Sequence, residues 1–124
     1  MQVKADEKTI GYSIVGDGDT SKTVYIAALP PNRYPIGYQV RVKTAFAGTT
    51  SLTVEVGVVG DTTRFIRKQP IDRVGDLIPF FCDRQFVDLQ ASTSAQQNVI
   101  ATFRGADLTL LSAGEIQLVF IYAE

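Results

Sequence analysis

At 124 residues, 45% hydrophobic and 20% charged, the chain suits one globular domain with a real core. Its net charge of −1 leaves no basic excess for a nucleic-acid backbone or an anionic membrane surface. Histidine is absent, which removes the commonest general base, the commonest zinc ligand and the usual partner of a nucleophilic Ser or Cys.

The first residues, MQVKADEK, lack the apolar core of a signal peptide. They are polar and precede the first strong strand, so residues 1–8 are a candidate arm that orders on a neighbour. No run approaches the ~18 apolar residues that span a bilayer. The single cysteine permits no intramolecular disulfide, which fits synthesis in a reducing cytoplasm.

Strands are predicted near residues 9–15, 22–28 and 37–45, the first two separated by a GDGDTS turn. Residues 37–45 alternate cleanly, with Tyr38, Val40 and Val42 on one face and Gln39, Arg41 and Lys43 on the other. After the turn at 47–50, residues 51–59 alternate again, with Leu52, Val54, Val56 and Val58 opposed to Thr53, Glu55 and Gly57. Two alternating runs joined by a short Gly-containing loop read as a hairpin. A short strand is expected at 63–68, then an irregular crossing segment at 69–82 with a short strand or helical turn. Strands resume near 85–90, 98–104 and 115–123, with a polar loop at 92–97. Residues 107–112 read as a short strand or one helical turn. The last run, GEIQLVFIYAE, is apolar on both faces and belongs inside a sheet rather than at its edge.

Val-Gly-Asp occurs at 15–17, 59–61 and 74–76, read as strand ends entering Gly-Asp turns. About eight strands and no amphipathic helix predict an all-β, single-domain antiparallel β-sandwich over residues 1–124, jelly-roll-like in topology.

Candidate sites are few. Asp17 and Asp19 supply half of a calcium loop, but the next residues bring no carboxylate to complete it, and a polar turn is the reading taken. Cys82 has only Arg84 nearby to favour a thiolate, and reads as an inert thiol. Arg64, Phe65, Arg67 and Lys68 form the one basic–aromatic cluster. In a net-acidic chain it suits a solvated strand face, or next a protein contact, better than single-stranded nucleic acid. The five tyrosines are scattered, and read as packing at core edges. No catalytic, cofactor or metal constellation is found, so no enzyme and no cofactor are expected. Arg41, Lys43, Arg64, Phe65 and Arg67 are the candidate interface.

Two stretches carry a family resemblance: YQVRVKTAFAGTTSLTVEVGVVGD at 38–61 and NVIATFRGADLTLLSAGEIQLVFIYAE at 98–124. A G-x-x-S-L-T-V-x-V-G strand pair with a Gly-Asp turn, closed by a Gly-led alternating apolar run ending in Tyr, resembles small virion proteins of tailed bacteriophages. The resemblance covers about half the chain, with Leu111 and Ser112 departing from the closing pattern. It implies a capsid decoration or cement protein, made in the host bacterial cytoplasm and located in the virion. The implied partner is the phage major capsid protein, with a homo-oligomer, a trimer before a dimer. Alternatives are a tail, neck or fibre component with tail-protein partners, or a carbohydrate- or receptor-binding sandwich.

Overall fold

Alternating apolar residues shape most of the chain into strands, because every second side chain points to one face. The computed structural model describes residues 3–29, 34–78 and 97–123. Within these run β1 (Val3–Gly11), β2 (Ser21–Leu29), β3 (Tyr34–Ala47), β4 (Thr53–Val58), β5 (Asp61–Pro70), β6 (Gly75–Ile78), β7 (Gln97–Arg104) and β8 (Ala113–Ala123). One α-helical turn, α1 (Tyr12–Val15), and one 3-10 turn, Leu108–Leu110, complete the described elements.

The strands form two four-stranded sheets, ordered β1-β8-β3-β6 and β2-β7-β4-β5, and every pair is antiparallel. Successive strands mostly alternate between sheets, which is jelly-roll topology. The all-β sandwich expected from the sequence is the fold found.

The inner faces make one core. Phe65 of β5 and Phe120 of β8 meet across the layers with ring centroids 5.9 Å apart, and Phe46 and Phe103 stand 6.0 Å apart. Ile10, Val40, Val54, Val56, Ile66, Ile116 and Leu118 are fully buried among them. β8 lies between β1 and β3, inside its sheet as its composition predicted. Its two faces differ, however: Ile116, Leu118, Phe120 and Tyr122 are buried, while Gln117, Val119 and Ile121 are half-buried on the outer face.

Three expectations change. The first strand is Val3–Gly11 rather than 9–15, and residues 12–15 are helical. Residues 3–8, expected as an arm, pair in register with β8 from Val3↔Ala123 to Lys8↔Leu118. A strand that can satisfy its backbone on an adjacent edge has no need of a neighbouring molecule. The expected hairpin of 37–45 with 51–59 does not form. β3 pairs with β8 and β6, and the segment after Ala47 crosses to the other sheet. Strands facing each other across a sandwich show the same alternation as strands paired side by side, so the pattern alone does not separate them. The true hairpin is β4–β5, with Val58 opposite Asp61 across Val59 and Gly60. Gly60 takes φ +92, a left-handed conformation that glycine adopts without a Cβ penalty. The ambiguous residues 107–112 contain the 3-10 turn, capped where the Asp107 carboxylate accepts from Thr109 N at 3.1 Å. Cys82 and the strand expected at 85–90 lie outside the described residues.

A candidate interaction surface

Four connections meet at one end of the sandwich: residues 12–20, 48–52, 71–74 and 105–112. Backbone bonds braid them together. Leu108 N donates to Asp19 O at 2.6 Å and Gly105 N to Thr20 O at 3.1 Å, joining the last connection to the first. Ala106 N donates to Thr50 O at 2.9 Å, joining it to the second, and Ser112 N donates to Ala47 O at the end of β3 at 2.9 Å. Ile71 N donates to Leu52 O at 3.2 Å and ties in the third. The Asp107 amide also donates to Thr49 Oγ1 at 3.1 Å. Satisfied backbone fixes these loops as a shaped surface.

That surface is apolar at its tips. Among the described residues six large hydrophobics are exposed, and four of them stand here: Tyr12 (41%), Ile14 (43%), Val74 (66%) and Leu110 (59%). Single exposed apolar side chains are ordinary, but four at one end, on loops held by backbone bonds, make that end a candidate contact surface. The end is also acidic. Asp17, Asp19, Asp72 and Asp107 oppose only Arg73, which pairs with Asp72 at 3.6 Å. Sequence reasoning missed this surface because Tyr12 and Ile14 read as strand residues and the loops are distant in the chain.

The sequence-predicted interface residues divide. Arg41 and Lys43 are exposed on the outer side of β3. Arg67 and Lys68 are exposed on β5, and Arg64 is half-buried with its guanidinium 6.0 Å from the Phe65 ring centroid. Phe65 itself is 1% exposed and belongs to the core, so it offers nothing to a partner. Register shifts in β5 turn consecutive residues inward, so both Phe65 and Ile66 are buried. β1 touches β2 across the layers, which puts the last strands of the two sheets, β6 and β5, on the opposite flank. Arg41, Lys43, Arg64, Arg67 and Lys68 thus gather towards one side of the sandwich.

One ionic cluster, built around a buried carboxylate, was invisible in the sequence. Glu55, 4% exposed on β4, accepts from Arg104 Nε on β7 at 2.8 Å and from Thr62 Oγ1 on β5 at 2.5 Å. It clasps three strands of one sheet. Burial pushes the Glu55 carboxyl up. The hydrogen bonds from Arg104 and Thr62, with the charges of Arg104 and Lys68, outweigh that and hold it below its ordinary 4.5. A depressed folded-state value gives stability that is fully present above the ordinary value and is lost as pH falls through the folded one. Urea unfolding should therefore show stability falling below about pH 4.5, and Glu55→Gln should remove part of that fall while costing about 1 kcal/mol at neutral pH. An unchanged acid limb in the variant would show that Glu55 does not contribute.

Among the described residues no group of three or more His, Cys, Asp or Glu is arranged to hold a metal ion. Asp17 and Asp19 sit in the turn after α1, where Gly16 N donates to Tyr12 O at 2.8 Å. No described helix is long and apolar enough to cross a membrane.

No family model matches the sequence, and no curated protein matches it. Solved structures do match. A chain of the cyanophage Pam1 capsid asymmetric unit is 16% identical with a TM-score of 0.69, covering 98% of this chain and 84% of that one. A chain of the capsid of Ralstonia phage GP4 is 15% identical with a TM-score of 0.66, covering 99% and 84%. A chain from the acidic stable capsid of Helicobacter pylori bacteriophage KHP30 is 10% identical with a TM-score of 0.50, covering 98% and 87%. The resemblance to phage virion proteins drawn from the sequence is thus met at the level of fold: this jelly roll, nearly end to end, is similar to chains found in bacteriophage capsids.

Proposed function

We propose that the chain is a non-enzymatic structural component of a bacteriophage virion, one that decorates and stabilises the capsid through contacts with the major capsid protein. The observation that carries this reading is the nearly full-length match of the jelly roll to chains of two phage capsids, with TM-scores of 0.69 and 0.66. A rigid sandwich whose exposed apolar residues cluster on ordered loops suits a protein that works by contact. Copies associating as a homo-oligomer, with a trimer favoured, belong to the same proposal.

The test is biochemical. Virions purified from the producing host should contain the protein as a major band. Purified protein should cosediment with expanded capsids that lack it and raise their thermal disruption temperature. Absence from purified virions overturns the reading. Rings or tubes formed by the purified protein, with no binding to capsids, place it in a tail instead.

A further inference from the structure

We propose that the acidic, apolar loop end of one copy docks on the basic flank of a second copy, head to side. The inference rests on the assembly role proposed above and names the two surfaces that would meet.

Charge is divided unevenly over the molecule. The loop end holds four aspartates and one arginine, net −3, whereas the whole chain is −1. The remainder is therefore net +2. Its described cations concentrate on β3 and β5, which carry Arg41, Lys43, Arg64, Arg67 and Lys68. Two loop ends facing each other would juxtapose like charges, which disfavours a twofold head-to-head contact. Loop end against flank brings opposite charges together, with Tyr12, Ile14 and Leu110 as the apolar centre and the aspartates as the rim.

Such a contact uses different patches on the two partners. It is heterologous, and repeats of it close into a ring when the rotation permits. Among the described strands β5 ends its sheet, and a loop end docked on the flank would cover that edge and protect it from uncontrolled pairing.

Light scattering and sedimentation of the full chain, over a range of concentration and salt, give the test. The protein should associate at low salt and dissociate as salt rises. Replacing Asp17 and Asp19 by Lys, or Lys43 and Arg67 by Glu, should each weaken association about tenfold or more. Mixing the two charge-reversed proteins should restore it, because each supplies the surface the other needs. Leu110→Ser, at an exposed position, should weaken association in the same assay without changing the melting temperature.

A chain that stays monomeric at high concentration and low salt overturns the head-to-side contact, as does association that either reversal leaves unchanged. Capsid cosedimentation run in parallel keeps the two readings apart. A monomer that still binds capsids refutes the self-contact alone. Loss of capsid binding in the loop-end variants of such a monomer assigns that end to the capsid, and overturns the inference equally.

Discussion

Truncation after Ala113 should leave a chain that does not fold. β8 supplies Ile116, Leu118, Phe120 and Tyr122 to the core, all buried. Each such side chain contributes about 1.5–3 kcal/mol, so four contribute about 6–12 kcal/mol. That compares with the ~5–15 kcal/mol that holds a whole domain folded. The loss is more than area, because β8 is paired with β1 on one side and β3 on the other. Without it the β1-β8-β3-β6 sheet is split: β1 loses its one described partner and β3 one of two. The truncated protein should be insoluble, or lack a cooperative unfolding transition by circular dichroism. A soluble truncation that unfolds cooperatively would show that the sandwich closes without its last strand.

The second large effect is expected at Gly48, where the chain leaves β3 and crosses to the other sheet. Its φ is +118, and a Cβ there would lie 2.2 Å from Leu110 O and 2.9 Å from both Leu111 Cα and Ser112 N. Those are backbone atoms fixed by the braid, so they have no rotamer to change. Gly48→Val should cost about 3 kcal/mol or more, from left-handed strain together with the collision. Gly60→Ala provides the comparison: φ is +92, but nothing lies within 4 Å of its Cβ. It should cost only the strain, about 1–2 kcal/mol. Chemical denaturation of both variants measures the difference. Equal losses would mean that the loop end yields, and that its rigidity has been overstated.

The sequence carried the strand alternation well. Val40 and Val42 in β3, and Val54, Val56 and Val58 in β4, face the core as their spacing requires. It did not carry the pairing. Alternation says which face is apolar, and a partner beside a strand and a partner across the core impose the same pattern. The hairpin therefore went to the wrong pair of strands. Phe65 was misplaced for a related reason: register shifts in β5 interrupt the period of two that the reading assumed. Residues 1–8 read as an arm that orders on a neighbour because their composition is polar and charged. Glu7, Thr9 and their like face outward from an edge strand, where charge is expected and blunts pairing. Glu55 and Arg104 stand 49 positions apart, and only the β4–β7 register brings them within a hydrogen bond.

The order of the strands also sets how the chain must find its fold. Of the six pairings among the described strands, only β4–β5 joins neighbours in the sequence. The first strand must find the eighth, and the second must find the seventh. Each of those encounters closes a loop of most of the chain before any contact rewards it. A nascent chain can zip the β4–β5 hairpin early, but it holds β1 and β3 apart until β8 has emerged to lie between them. Any contact made through the surface built from all four loop connections must then wait for the folded chain, because that surface does not exist until the β8 ladders have closed.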